Sequence, residues 1–478
     1  MNQHKINSSF FVIISVFFFW GFVAASNSIL IPLFKEKFQL SQFQSQLVDF
    51  AFYLAYAVGS LIYFIFSSLR GDPLNRIGYK KGLVYGLLLS ALGSLIFIPA
   101  ADNNSYPLLL VALFVIGLGF ALQQIVANPF VVNFGHRKNG AQRLNLAGGI
   151  NSLGTTIGPV ILSLALFGSF EAPKPETMGI ESVKLPAYIL FFLFLLCATL
   201  LTISKLPKVS SNEIFKKDMG ALKYPQLTLG MLAIFVYVGV EVTIQSNMPA
   251  LLEMKEIKGL DHRKISHFIS LYWGSLMIGR WTGSVAVFQL SGIKKIIVQA
   301  LVPMVALVII YFVNYLRGSE INDFHYYIPF ILGGTALLII SGDNPSKTLM
   351  ILGTAATIMM ITGLVSTGDL ALYSFMSGGL FCSVMFPCIF SLAINGLGKY
   401  TNQGSSLLIM MILGGALIPP FQGWLADPEQ LNSVHKSYIV TVFCFAYLAW
   451  YGFRVRNIKR VDDHHDDVVG VGDHLIGH

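Results

Sequence analysis

The arrangement of the whole chain follows from residues 121–159, which read ALQQIVANPFVVNFGHRKNGAQRLNLAGGINSLGTTIGP. Two apolar runs, each long enough to cross a bilayer, flank the basic turn GHRKNGAQR. Polar side chains are costly in hydrocarbon unless they face a wet cavity or one another. The hairpin therefore predicts a place where a hydroxyl-rich solute is held. Among its amides, the candidate ligands are Gln123, Gln124, Asn128 and Asn151.

A second hairpin late in the chain repeats this plan. MFPCIFSLAIN, the turn GLGKYTNQG and SSLLIMMILGGALIPP follow one another in the same order. Pro387 and Pro419 have nearly the spacing of Pro129 and Pro159. The repeat indicates a duplicated helical bundle.

Composition sets the protein class. With 54% hydrophobic and 12% charged residues in 478, the chain has too little polar surface for a soluble globule, which predicts an all-α polytopic membrane protein. The net charge of +8 lies in short turns between spans, where it sets orientation and does not indicate nucleic-acid binding. The four cysteines fall inside apolar spans at spacings that fit neither a zinc site nor a disulfide framework, so we expect no metal and no cofactor.

Runs of about 20 apolar residues mark the candidate spans. There are fourteen, six before and eight after a polar, lysine-bearing segment. The prediction is an N-terminal bundle at 1–206, a cytoplasmic linker at 207–225, a C-terminal bundle at 226–455 and a disordered cytoplasmic tail at 456–478. Matching the two hairpins leaves an inserted helix pair at about 324–366, outside the transport core and facing lipid or a partner; alternatively, one of the pair is re-entrant.

Orientation follows from the basic residues, which concentrate on the cytoplasmic side of membrane spans. If the N-terminus is inside, most of the Lys and Arg residues fall on the inner side. We therefore expect both termini to be cytoplasmic, in a bacterial inner membrane.

Several motifs carry a family resemblance. The turn GDPLNRIGYKK at 71–81 resembles the loop between the second and third helices of the major facilitator superfamily. WGFVAASNSIL, QQIVANPFV, RLNLAGGINSLGTTIGP, YVGVEV, YWGSLMIGRWTGS, SVMFPCIFSLAINGLG and TNQGSS together resemble its fucose permease and glucose/galactose transporter family. The similarity covers residues 10 to about 455, apart from the inserted pair. It implies the major facilitator fold, in which two pseudo-symmetric six-helix bundles rock around a mid-membrane site, here in a monomer.

The resemblance also has implications for single residues. Proton-coupled fucose permeases of this family have a carboxylate in the first span, where this chain reads NSIL at 27–30, and another in the fourth, where it reads Gln124. Asn151 matches a sugar-binding asparagine of those permeases. Gln124 and Asn128 can still donate and accept hydrogen bonds with sugar hydroxyls. Sugar recognition without the fucose-type proton relay is thus implied, which is more similar to the glucose/galactose branch.

The remaining intramembrane charges are few. Glu241 lies near the middle of the seventh span and Arg280 near the middle of the eighth. A buried carboxylate is costly unless it binds a cation, is protonated or is paired. Either the two residues form a permanent ion pair, or Glu241 exchanges a coupling cation. Pairing would keep Glu241 ionised, which suits Na⁺ better than H⁺. Asp49, at the outer start of the second span, is the other coupling candidate, unless it is a solvated interfacial acid.

Weaker candidates complete the site prediction. Asp72 and Arg76 in the basic turn indicate a gating network on the inner face. Aromatic rings could stack on a sugar, although each is more often a packing residue; Trp20 and Tyr272 are the preferred exceptions because polar or glycine neighbours surround them. The further candidate substrate ligands are Gln245, Asn247, Trp20 and Tyr272.

These features favour a secondary transporter that imports a monosaccharide, an aldohexose such as glucose or galactose, driven by Na⁺ or H⁺. The pattern G-x-x-x-x-G-K-[ST] of ATP-driven pumps does not occur, and no motif supports an enzyme. Two alternatives stay open: an uncoupled sugar facilitator and a transport-inactive sugar sensor. Counterflow in proteoliposomes would separate the sensor, which gives no exchange.

Overall fold

The part of the chain that the structure describes is almost entirely helical. The computed structural model describes residues 10–23, 38–39, 42–134, 139–167, 183–204, 218–260, 265–288, 290–319 and 321–456. Within these ranges every regular element is a helix, which confirms the all-α class. The NSIL stretch, the linker up to residue 217 and the tail from residue 457 lie outside the described residues.

The helices of the N-terminal half cross back and forth in sequence order. They are α1 (Phe10–Val23), α2 (Gln42–Arg70), α3 (Pro73–Ile77), α4 (Tyr79–Asp102), α5 (Tyr106–Asn133), α6 (Gly140–Phe167) and α7 (Lys184–Ile203). The short α3 lies in the turn between α2 and α4, where Asp72 accepts a hydrogen bond from the Leu74 amide and thereby caps it.

The C-terminal half contains more helices. They are α8 (Pro225–Glu253), α9 (Ser266–Ser284), α10 (Gly292–Leu316), α11 (Ile328–Ser341), α12 (Pro345–Val365), α13 (Gly368–Cys382), α14 (Met385–Ile394), α15 (Thr401–Met410), α16 (Gly414–Ala426), α17 (Val434–Ser437) and α18 (Ile439–Arg456). Three spans are interrupted, because α13 continues into α14, α15 into α16 and α17 into α18.

The span count agrees with the prediction. Eleven helical segments of the described chain are long and apolar enough to cross a membrane. Together with α1, α6 and α9 they make the fourteen spans expected from the sequence, six before and eight after the linker.

The two polar helices α6 and α9 pack against each other, and α2 packs against α15, so these two pairs join the halves. Close approach of α6 and α9 requires a small residue at Gly149, where an added Cβ would lie 2.6 Å from Cδ1 of Trp281. The indole nitrogen of Trp281 in turn donates to the Gly149 carbonyl at 3.0 Å. This contact and this hydrogen bond hold the facing surfaces of α6 and α9 together.

Alternation of the spans places the turns on two faces. We call one of them the basic face, because the lysine-rich and arginine-rich turns of the sequence lie there. It carries Asp72, Gln142, Lys295, Asp343 and Asn402. Hydrogen bonds and an ion pair join these residues across the face. Which face meets the cytoplasm stays a prediction from the basic residues.

Packing corrects the position of the extra helix pair. In the N-terminal half α4 packs along α5 and α7; in the C-terminal half α12 packs along α13 and α18, which correspond to α5 and α7. Helix α10 instead packs on α9. The extra pair is therefore α10 and α11, and not the predicted pair at 324–366. Sequence could not decide this, because α10 and α12 cross in the same direction and removing either pair preserves the topology.

Candidate substrate and ion site

A broken span lies at the centre of the C-terminal half. Between α13 and α14, Ser383 and Val384 leave the helix. Pro387 has no N–H to bond the carbonyl four residues earlier, so the carbonyl of Ser383 is free to accept another donor. Nε of Arg280 donates to it at 3.2 Å.

Arg280 also connects the two halves. Its Nη1 donates to Oγ of Ser152 on α6 at 2.8 Å and lies 3.5 Å from the Gly148 carbonyl. The third arm, Nη2, lies 4.0 Å from Oε1 of Glu241 on α8, a long ion pair. The guanidinium thus contacts an acid and a freed carbonyl in its own half and a hydroxyl in the other.

Burial strengthens the interaction between Arg280 and Glu241. The side chains of Arg280 and Glu241 are 14% and 13% exposed, so water screens their interaction far less than at a surface. Glu241 lies near the middle of α8, where an uncompensated charge is most costly, and the Arg280 side chain reaches it from the last third of α9. The predicted ion pair is present, and a cation that reached Glu241 would compete with Arg280 for the carboxylate.

Tyr272 is fully buried beside this pair. Its hydroxyl donates to the main-chain carbonyl of Glu241 at 2.7 Å, which fixes the turn of α8 that carries the acid. The structure therefore shows Tyr272 as a support of Glu241, while stacking on a sugar stays a prediction.

Two of the predicted sugar ligands in the N-terminal half bond each other. Nε1 of Trp20 donates to Oε1 of Gln123 at 2.7 Å, and Nε2 of Gln123 donates to Oγ of Ser90 at 3.1 Å. Gln123 is fully buried and Trp20 is nearly so. These two hydrogen bonds join α1 to α5 and α5 to α4 in the interior of the bundle.

Two of the other three amides have partners of their own, and the third is unpaired at its nitrogen. Nε2 of Gln124 donates to the hydroxyl of Tyr56 at 3.0 Å, and Nδ2 of Asn151 donates to the Phe17 carbonyl at 3.0 Å. The side chain of Asn128 is buried, and its Nδ2 has no hydrogen-bond partner among the described residues. A buried, unpaired amide nitrogen costs free energy unless an acceptor fills the position.

The remaining candidates on α8 and α2 are less central. Nδ2 of Asn247 donates back to the carbonyl of Thr243 on its own helix at 3.1 Å. Gln245 is half-buried one turn beyond Glu241. Asp49 lies in α2, but its side chain is outside the described part of the structure.

Asp72 is the centre of a cluster on the basic face. Its carboxylate accepts from the Tyr63 hydroxyl at 2.5 Å and from Nδ2 of Asn402 at 2.6 Å, and the Tyr79 hydroxyl donates to Oδ1 of Asn402 at 2.7 Å. Burial raises the pKa of Asp72, although the hydrogen bonds it accepts act in the opposite direction. The cluster joins α2 and α4 to α15, which agrees with a gating role.

Arg76 does not belong to this cluster. It is exposed, and its Nη2 lies 3.5 Å from the carbonyl of Arg70. The structure therefore separates the two residues that the sequence grouped as one network.

Sequence reasoning missed four partners. They are Ser152, the carbonyl of Ser383, Tyr63 and Asn402. Pro387 was the available signal for the Ser383 carbonyl, since a proline inside a span frees the carbonyl four residues earlier. For Ser152, Tyr63 and Asn402, the sequence shows the residue type but not the face of the helix on which the side chain lies.

Comparison with known proteins gives the context of this site. The family model of the Major Facilitator Superfamily matches residues 10–346. A glucose/galactose transporter of Brucella abortus biovar 1 (strain 9-941) is 35% identical over 442 residues, which cover 91% of either chain. The L-fucose-proton symporter of Escherichia coli (strain K12) is 28% identical over 461 residues, 92% of this chain and 91% of the relative.

A solved structure shows the same architecture. FucP, a Major Facilitator Superfamily transporter crystallised in the outward conformation, aligns with a TM-score of 0.72 at 26% identity. The alignment covers 93% of this chain and 98% of FucP. The resemblance inferred from motifs is thereby confirmed over nearly the whole chain.

Proposed function

The chain belongs to the Major Facilitator Superfamily, a family of transport proteins and not of enzymes, and on that premise we propose that it imports a monosaccharide by alternating access. The solute would bind at mid-membrane between the two halves, which rock around it. The network of Glu241, Arg280 and Ser152 carries this proposal, because it connects an ionisable group in one half to the other half.

An aldohexose such as glucose or galactose is the proposed substrate. The relatives with the higher identity carry the names glucose/galactose transporter and putative glucose/galactose transporter. Gln124, Asn128 and Asn151 supply amide donors and acceptors, which sugar hydroxyls match. The unpaired Nδ2 of Asn128 in particular needs an acceptor, and a sugar hydroxyl can provide it.

Coupling would run through Glu241. When no cation is bound, Arg280 compensates the carboxylate. When a cation binds, Arg280 keeps only its hydrogen bonds to α6 and to the Ser383 carbonyl at the helix break. The adjacent guanidinium favours an ionised carboxylate, which suits Na⁺ better than H⁺, although burial acts in the opposite direction. Na⁺ is therefore the proposed coupling ion, with H⁺ as the alternative.

An uncoupled facilitator is the second candidate. It is favoured by one observation, that Arg280 already lies against Glu241 and could neutralise it throughout the cycle.

We also propose that the protein is a monomer in a bacterial inner membrane, with both termini cytoplasmic.

Uptake into proteoliposomes tests the proposal. A panel of labelled hexoses is offered under an imposed Na⁺ gradient or an imposed proton gradient, and counterflow is measured without a gradient. We expect counterflow of an aldohexose and its accumulation under the Na⁺ gradient. Counterflow without accumulation under either gradient would favour the facilitator, and no counterflow would favour the sensor.

The Glu241→Gln variant tests the coupling site. It should lose gradient-driven accumulation and keep measurable counterflow, because the amide cannot exchange a cation. Glu253→Gln, at the end of the same helix, is the matched control and should keep both. A Glu241→Gln protein that still concentrates sugar would exclude this site, and Asp49→Asn would be tested next.

A further inference from the structure

The extra helix pair contacts the N-terminal half at the basic face. Helix α10 packs against α6 as well as α9. At the turn between α11 and α12, the carbonyl of Asp343 accepts a hydrogen bond of 2.8 Å from Nε2 of Gln142. Gln142 lies in the first turn of α6, so this bond crosses from one half to the other.

The turn is firmly held on the side of the C-terminal half. Nζ of Lys295 on α10 lies 2.8 and 2.6 Å from the two carboxylate oxygens of Asp343. Oδ1 of Asn344 accepts from the amides of Ser346 and Lys347 and so caps α12. The turn therefore moves with α10 and α12, and the bond to Gln142 joins it to the other half.

The contact surface is polar and incompletely paired. A small crevice between the halves is lined by Gln142, Asn145, Gly283, Gln299 and Thr348, among others. Oε1 of Gln142 and Oδ1 of Asn145 are buried and have no hydrogen-bond partner among the described residues. The crevice has room for about one water, which could bridge the two oxygens. Such a surface can separate cheaply, because both oxygens regain water when it opens.

We propose that the extra pair α10 and α11 is a gate element: the turn at 342–344 latches onto the first turn of α6 when the basic face is closed and releases when it opens. The proposal rests on alternating access, since rocking of the halves must separate Gln142 from Asp343. It assigns the extra pair a role in the transport cycle, whereas a pair outside the transport core would only contact lipid or a partner.

Cross-linking tests the latch in the full-length protein. In the double variant Gln142→Cys/Asp343→Cys, a short bis-methanethiosulfonate reagent ties the latch shut. Aldohexose counterflow should then fall roughly tenfold or more and recover after reduction, because the gate must open in every cycle. Of the native cysteines, Cys388 lines the same crevice and is replaced by serine in this protein and in its control, whereas Cys197, Cys382 and Cys444 are buried elsewhere and should be spared by the reagent.

Lys295→Cys/Asp343→Cys is the matched control. It cross-links the same turn to α10 within one half and should keep its counterflow after treatment. Full counterflow of the tied Gln142→Cys/Asp343→Cys protein would overturn the latch. Equal loss in both cross-linked proteins would also overturn it, since the effect would not depend on joining the halves.

A distance measurement separates failure of the latch from failure of the transport proposal. Spin labels at positions 142 and 343, in lipid nanodiscs, should give a short and a long distance whose ratio shifts when sugar is added. A single short distance under all conditions would reject the latch. If the parent protein shows no counterflow with any hexose, the transport proposal fails, while two distances would still support an opening basic face.

Discussion

The two proline hairpins follow one sequence plan but satisfy their freed carbonyls differently. Pro129 frees the carbonyl of Ile125, which accepts from the Ser405 hydroxyl of the other half at 3.0 Å. Pro387 frees the carbonyl of Ser383, which accepts from Arg280 of its own half. The first hairpin thus uses a neutral donor across the halves, whereas the second recruits a charge that must itself be compensated.

The difference suggests a division of labour. The N-terminal hairpin has amides and hydroxyls, which suit a neutral hydroxylated solute. The C-terminal hairpin binds Arg280 at its freed carbonyl, beside Glu241, which suits an ion, and Arg280 reaches from there to Ser152 of the N-terminal hairpin. Duplication supplied two similar frameworks, and the charged side chains of α8 and α9 made one of them different.

Arg280→Leu should have the largest effect. It leaves Glu241 buried without its partner and removes the donor to the Ser383 carbonyl, so the free energy of unfolding should fall by about 3–5 kcal/mol. Denaturant unfolding in detergent measures this. Arg280→Leu/Glu241→Leu should recover part of the loss, because no charge stays unpaired. A loss in Arg280→Leu below about 1 kcal/mol, typical of an exposed pair, would contradict the buried-pair interpretation.

Asn151→Ala tests the neutral hairpin as the sugar site. Binding of the transported hexose should weaken by about 1–3 kcal/mol, the cost of stranding a buried polar partner. Calorimetry on folded protein measures the change. Asn103→Ala is the control, since this side chain donates to the Pro99 carbonyl far from the centre. Unchanged affinity in Asn151→Ala would remove this residue from the site.

Ser405→Ala tests the neutral donor across the halves. Removing the hydroxyl leaves the Ile125 carbonyl without a donor, and stability should fall by about 1 kcal/mol, less than for Arg280. Ser406→Ala is the matched control, because that hydroxyl donates within its own turn, to the Gln403 carbonyl. Equal melting temperatures for the two variants would show that the bond between halves adds nothing.

Acidification should have the smallest effect, through Asp72. Because burial raises its pKa above the ordinary 3.8, the folded protein holds this proton more tightly than the unfolded chain. Its contribution to stability is fully present below the ordinary pKa and is lost as pH rises through the folded pKa. Asp72→Asn should therefore flatten the dependence of the melting temperature on pH across that window. An unchanged slope would show that the hydrogen bonds from Tyr63 and Asn402 offset burial.

Much of the fold could be predicted because the length of an apolar run and the repeated proline and turn positions are local properties of the sequence. The fourteen spans, the repeated hairpin and the pairing of Glu241 with Arg280 all followed from residue type and depth. The extra pair was displaced by one helix because topology alone fits two choices. Trp20 and Gln123 bond each other in the structure. The sequence could not predict this bond, because a polar residue on an apolar helix indicates burial but not which neighbour forms its hydrogen bond.

The class, the spans and the residue types that chemistry needs can be read from the chain alone, since the hydrophobic effect and the cost of buried polarity act on each segment separately. Which segments meet depends on how the helices pack. Asp72 and Asn402, Arg280 and Ser152, and Gln142 and Asp343 are far apart in sequence and close in space. Such contacts depend on the rotation of each helix about its axis, which the packing of all neighbours sets together.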